Sequence, residues 1–289
     1  MLYPDGPAFL RAPHKRVMLF GMSGLGKTTL SNMLREAGDW FHYSVDYRIG
    51  TRYMGEYISD NFKREAMKVP LLRELLMSDS VFITSNITFD NLAPLSTYLG
   101  KPGDAAKGGL PFGEYQRRQA QHGQAEVAAM LDTTRFIDRA QDLYGYNHFV
   151  CDTSGSICEV VDADNPADPV MAEVSTHLLP VWIKGSEAHR AELCRRFDRA
   201  PKPMFYRPEF LLTVWADYLA ESGLTADKAD PDAFLRFGYA RLLESRQPRY
   251  AAMARWGVTV TAEEVAEVRS PAAFDALIAH ALDRRASTT

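Results

Sequence analysis

Between Val17 and Leu30 the chain reads VMLFGMSGLGKTTL: an apolar run, then Gly21-x-x-x-x-Gly26-Lys27-Thr28, then residues with helical spacing. Glycines at 21, 24 and 26 let a backbone turn tightly and bring its amides close to a ligand. A helix that starts directly after them adds the positive end of its dipole, so loop and helix together form a cradle for phosphate. The pattern predicts a strand, a phosphate-binding loop and a helix in succession. In such a loop Gly21, Ser23, Gly24, Leu25, Gly26, Lys27, Thr28 and Thr29 surround the nucleotide. Amides from Gly24 to Thr28 point inward, Lys27 reaches the β- and γ-phosphates, the Thr28 hydroxyl ligates Mg²⁺ and Thr29 donates to the α-phosphate. The cofactors expected are ATP and Mg²⁺.

The 289 residues suffice for one large domain or two smaller ones. A net charge of −4 gives no reason to expect nucleic acid or an anionic membrane surface as partner. Three cysteines, Cys151, Cys158 and Cys194, form neither a disulfide framework nor a zinc set, which suits a reducing cytoplasm. No apolar run is long enough to predict a membrane span, and the N-terminus lacks the apolar core of a signal peptide.

Periodicity and punctuation predict the remaining elements. Residues 1–15, with three prolines, read as an extended arm. Strands are expected at about 16–20, 40–45, 147–151, 177–184 and 257–261. Helix 26–37 should end at Gly38, 80–89 reads as a strand or hairpin, and the Gly- and Pro-rich 101–111 as a mobile loop. A helix is expected from 112 to 131, with Thr133 or Thr134 capping another. Helices follow at 208–220 and 232–244, the latter interrupted at Arg246-Gln247-Pro248-Arg249-Tyr250, and a last one at about 270–283.

Two strand ends carry candidate chemistry, because ligands of α/β sheets bind at the carboxyl ends of the strands. The second strand runs into Asp46, Arg48 and Arg52. Asp46 is a candidate to orient an acceptor's proton or to assist the metal, and Arg48 and Arg52 to grip an anionic acceptor; the other reading is a solvated helix face. The third strand ends in Asp152-Thr153-Ser154-Gly155-Ser156. An apolar strand ending in Asp places a carboxylate where Mg²⁺ or its water is held, so Thr28, Asp46 and Asp152 are the candidate metal ligands. Thr153 stands where motor-type and AAA-type ATPases carry a water-activating Glu, which argues for transfer to something other than water. Ser154 and Gly155 offer donors to a bound acceptor, or only form a turn.

After the fourth strand, 185–203 carries Arg190, Arg195, Arg196 and Arg199. Guanidinium groups there are placed to fold over a triphosphate and neutralise the transferred group; Arg195, Arg196 and Arg199 are the candidates for that role. On the helix 112–131, Arg118, His122 and Glu126 stand at i, i+4 and i+8, as groups over an active site or as a solvent-facing stripe.

This order of parts resembles the nucleoside monophosphate kinase-like superfamily, shikimate kinase among its members, over about 16–50 and 147–268. The resemblance is carried by GMSGLGKTT, by VWIKGSEAHRAELCRRFDRAPKP, similar to the strand and arginine-bearing lid of these kinases, and by LLESRQPRYAAMARWGVTV, similar to their Leu-x-x-x-Arg-x-Pro-x-Tyr-x-x-x-Ala segment. It implies that Arg195, Arg196 or Arg199 is the lid arginine and that Arg246 lies near the adenine or phosphates. The chain departs from shikimate kinases at Asp46-Tyr47-Arg48, where they have Asp-x-Asp, at Ser154-Gly155-Ser156, where they have a Gly-rich turn, and in a far longer insertion.

The expected fold is α/β: a P-loop NTPase core over 16–50 and 147–289, with a parallel five-stranded sheet in order 2-3-1-4-5 between helical layers. A mainly helical, acceptor-binding insertion is expected at 51–146. The implied function is transfer of the γ-phosphoryl of Mg-ATP to a small, anionic, hydroxylated or phosphorylated acceptor. The second reading, supported by the size of the insertion, is an ATP-binding switch that engages a protein partner with slow hydrolysis. No Asn/Thr-Lys-x-Asp guanine motif is present, and Met22–Leu25 lacks the extra lysine of ParA-type ATPases.

Overall fold

The computed structural model describes residues 2–287. Within them, five short runs rich in apolar residues pair as β1 (Arg16–Phe20), β2 (Trp40–Ser44), β3 (His148–Asp152), β4 (Leu179–Lys184) and β5 (Val258–Thr261). All pairings are parallel, and the order is β2-β3-β1-β4-β5, as expected. β1 lies in the middle, and Val17, Met18, Leu19 and Phe20 are all at most 1% exposed. A strand covered on both faces needs no polar alternation, hence its continuous apolar run. The fold is α/β, a five-stranded all-parallel sheet accompanied by helices.

By packing, the chain divides into one unit of 1–45, 127–200 and 238–289 and a second of 46–126 and 201–237. The first contains the sheet. The helix Lys27–Glu36 covers it with Leu30 and Leu34 and ends at Gly38, whose φ is 91°. Thr133–Asp142 buries Ile137 and Ala140 in this unit and brings Phe136 to 5.0 Å from the ring of Tyr43.

Several local expectations are corrected. The extended arm gives way to a helix at Gly6–Arg11, because Asp5 caps it by accepting from Ala8 N at 2.7 Å, Pro7 suits its first turn, and Phe9 is fully buried. The next correction concerns a cap: Asp132, not Thr133 or Thr134, precedes Thr133–Asp142, since the Thr133 hydroxyl donates to Met130 O instead. Pro248 does not break its helix, which runs unbroken over Pro231–Ala254. A proline removes one N–H and crowds one carbonyl, and here Leu242, Leu243, Arg246, Tyr250 and Met253 on either side of it are all buried, which holds the helix together.

The second unit is helical. Tyr98, Tyr115, Tyr206 and Phe234 are buried to 1% exposure or less, and Trp215 stacks on Phe112 at 4.7 Å and meets Phe234 edge-on at 4.8 Å. Residues 81–88 form no strand: exposure alternates along them, but among the described residues this unit has no strand to pair with. The segment 101–111 is tied down rather than free, with Gly103 N donating to Leu110 O, Asp104 N to Ala229 O, and Lys101 and Lys107 paired with Asp232 and Asp230. No helix among the described residues is long and apolar enough to cross a membrane.

Candidate active site

β1 delivers the chain to Gly21, whose φ of 138° and whose approach to Ile183 leave no room for a side chain: a Cβ there would lie 2.5 Å from the Ile183 carbonyl oxygen. The loop closes at Gly26, the N-cap of Lys27–Glu36, in a left-handed conformation and with no side chain capping the helix. Gly26 has no side chain with which to accept from the first amides of that helix, which suits anion binding at a helix start. Lys27 is 6% exposed and donates through Nζ to the carbonyls of Gly21 (3.0 Å) and Met22 (3.1 Å), curling over the loop it belongs to.

Pairing of β1 with β3 sets Leu19 opposite Asp152, so the carboxylate ends up beside the loop. Thr28 Oγ1 donates to Asp152 Oδ2 at 2.7 Å, and His42 Nε2 of β2 stands 3.6 Å from the same oxygen. Asp152 and His42 are 5% and 4% exposed. A hydroxyl and a carboxylate in contact are hard oxygen donors of the kind Mg²⁺ takes, usually with only one or two protein ligands beside waters and phosphates. Among the described residues no cluster of three His, Cys, Asp or Glu could hold a metal alone.

Thr153 is tied back into the sheet, its hydroxyl donating to Leu19 O at 2.9 Å. Ser154 and Ser156 are 3% and 7% exposed, with their hydroxyls 3.1 Å apart. Gly155 is pressed on the loop, where a Cβ would fall 2.3 Å from Ser23 Oγ. Arg246 lies beneath this turn: it is 2% exposed, with Nε on Glu159 Oε1 at 2.9 Å and Nη1 on the Gly155 carbonyl at 3.0 Å.

The helix Glu187–Arg199 approaches the loop through Leu193, whose Cδ2 would lie 2.9 Å from a Cβ on Gly24. At about 100° per residue, Arg190 and Arg196 stand about 60° to either side of Leu193, whereas Arg195 and Arg199 point to the opposite side. Arg195 and Arg196 both bond Glu192 of the same helix and are 65% and 66% exposed, and Arg190 bonds Glu187. Beside the loop a cavity of about 520 Å³ is lined by Thr29, Met33, His189, Val265 and Val268, among others, with Arg269 at its edge. It is mainly apolar with a few polar groups, the make-up of a small-molecule site.

Asp46, Arg48 and Arg52 belong to the second unit. Val45–Arg48 is one short helical turn, followed by a π-helical stretch, Ile49–Tyr53, a wide turn that often marks functional sites. Arg48 lies over the ring of Tyr53 at 5.6 Å, and Arg52 is exposed. The stripe Arg118, His122 and Glu126 does not face solvent: all three are at most 7% exposed. Arg118 bonds Glu114 Oε1, Tyr98 O and Asn61 Oδ1, and His122 stacks on Phe205 at 5.0 Å.

His42 and Glu159 escape sequence reading. His42 shares the alternation of Trp40 and Ser44 on β2, a signal that it faces one side of the sheet but not that Asp152 is there. Glu159 carries no local signal at all.

No protein-family model matches this chain, and no curated protein does. Among solved structures it is similar to the shikimate kinase from Bacteroides thetaiotaomicron, with 17% identity over 95% of this chain and 97% of that chain and a TM-score of 0.36.

Proposed function

We propose that this chain is an ATP-dependent phosphotransferase that moves the γ-phosphoryl of Mg-ATP to a small, anionic, hydroxylated or phosphorylated acceptor. The observation that carries the reading is the contact of Thr28 with Asp152 at 2.7 Å beside a loop whose lysine and uncapped helix start suit a triphosphate. Thr28 and Asp152 would hold Mg²⁺, which neutralises phosphate charge when bound. Lys27 would exchange its two loop carbonyls for phosphate oxygens, and the loop amides would fix the β-phosphate. The nucleobase would occupy the cavity lined by Met33, His189 and Val265. Arg190 or Arg196, on the side of the lid helix nearest Gly24, would stabilise the charge on the transferred group.

Asp46 is proposed as the group that orients the acceptor's proton, with Arg48 and Arg52 holding its anionic substituent. Thr153, its hydroxyl already engaged by Leu19 O, supports transfer to an acceptor over activation of water. The test is ADP release with Mg²⁺ across hydroxylated acids, sugars, sugar phosphates and nucleotides. Acceptor-stimulated turnover with a phosphorylated product is the expected result. Slow ATP loss indifferent to every acceptor would overturn it in favour of a nucleotide-dependent switch.

A further inference from the structure

Glu159 and Arg246 form an ion pair removed from water, their side chains 0% and 2% exposed and Arg246 Nε 2.9 Å from Glu159 Oε1. Withdrawing two charges from water is costly and is offset only where further hydrogen bonds close the geometry. Here they do. Arg246 Nη1 donates to the Gly155 carbonyl at 3.0 Å, and the Tyr250 hydroxyl donates to the same oxygen at 2.5 Å. Burial pushes the Tyr250 phenol well above its ordinary value, so it remains a donor.

Gly155 is the residue on which the phosphate loop rests, since a Cβ there would stand 2.3 Å from Ser23 Oγ and 3.1 Å from Ser23 N. By a second route, Gln247 Nε2 reaches Met22 Sδ at 3.3 Å. One helical turn, 246–250, thus reaches Met22 directly and Ser23 through Gly155.

We infer that Glu159 and Arg246 are positioning residues for the phosphate loop. The pair holds the Gly155 carbonyl, and through it the seat of Ser23, so that the loop amides are arranged before a nucleotide arrives. The guanidinium is suited to this because its planar fork serves a carboxylate and a carbonyl at once, which a lysine ammonium on a flexible stem does not. The inference rests on the nucleotide reading of the loop.

The test is calorimetric titration of Mg-ADP into the full chain, with urea unfolding of each variant alongside. Wild type binds saturably. Glu159→Gln and Arg246→Lys bind about tenfold more weakly or worse, Tyr250→Phe falls between, and millimolar methylguanidine restores binding to Arg246→Ala while leaving wild type unmoved. A purely structural defect would lower stability without that rescue. Should the single variants fail to fold, the apolar pair Glu159→Leu with Arg246→Met decides. It removes both charges together, so it folds, yet it binds about tenfold more weakly because the Gly155 carbonyl has lost its donor. Folded variants that bind within about twofold of wild type would overturn the inference. A wild-type chain that does not bind Mg-ADP overturns the nucleotide reading itself.

Discussion

Thr28 Oγ1 donates to Asp152 Oδ2 across 2.7 Å, joining the first turn of the loop helix to the end of β3 although the two stand 124 positions apart in the chain. The parallel pairing of β1 with β3 makes this contact, because it sets Leu19 and Asp152 side by side. His42, 3.6 Å from the same carboxylate oxygen, borders it from β2.

Thr28→Val keeps the side-chain shape and removes the hydroxyl, so the Mg²⁺ concentration that half-saturates nucleotide binding rises about tenfold, equivalent to about 1.4 kcal/mol. Asp152→Asn does the same, and the double variant loses less than the sum because the two groups act together. Titrating Mg²⁺ at fixed ATP checks this; additive losses would contradict a shared metal.

Lys27→Ala lowers turnover by about a thousandfold, or about 4 kcal/mol of transition-state stabilisation. Steady-state kinetics with whichever acceptor stimulates ATP consumption measures it, and turnover like that of wild type would remove the loop from the mechanism.

The arginines of Glu187–Arg199 divide by helix face. Arg196→Ala or Arg190→Ala lowers kcat by about tenfold or more, while Arg195→Ala and Arg199→Ala, on the side away from Leu193, leave it unchanged. Equal effects from all four would mean that the face set by Leu193 does not meet the nucleotide.

Gly21→Ala forces a Cβ to within 2.5 Å of the Ile183 carbonyl at a φ of 138° and destabilises the fold by about 3 kcal/mol in urea unfolding. Gly38→Ala, at a φ of 91° with nothing within 4 Å, costs only about 1 kcal/mol. Similar losses at both positions would show that backbone strain alone, without the clash, governs Gly21.

Glu114 titrates well below the ordinary carboxylate range, at about 2, chiefly through its hydrogen bonds from Arg117 and also from Arg118, against a smaller opposing effect of burial. A depressed folded-state value contributes stability that is present above about pH 4.5 and lost as the pH falls towards 2. Solvent screening of this partly exposed group holds the contribution below about 1 kcal/mol. Urea midpoints of wild type and Glu114→Gln should therefore differ at pH 6 and converge near pH 2; a constant gap would contradict the ionic origin.

The strands were legible because each is a short apolar run bounded by turn residues, and parallel strands buried on both faces need no other signal. The segment 80–89 misled for the same reason, having a strand's residue pattern without a neighbour to bond to. Asp5 as a cap and the helix that continues through Pro248 were missed because weak or adverse local preferences were outweighed by burial of Phe9 and of Arg246 and Tyr250.

The local chemistry of this chain was written into its residue order: a glycine loop between strand and helix, a lysine and threonine at the helix start, a carboxylate at a strand end, all governed by short-range sterics and backbone dipoles. Folding in three dimensions settled what lies beneath and beside these groups. It set His42 against Asp152, buried Arg246 on Glu159 and Gly155, brought Leu193 against Gly24, and withdrew Arg118, His122 and Glu126 from solvent. Such contacts join residues far apart in the chain, and their energies depend on desolvation and packing, for which no short stretch of sequence carries a pattern.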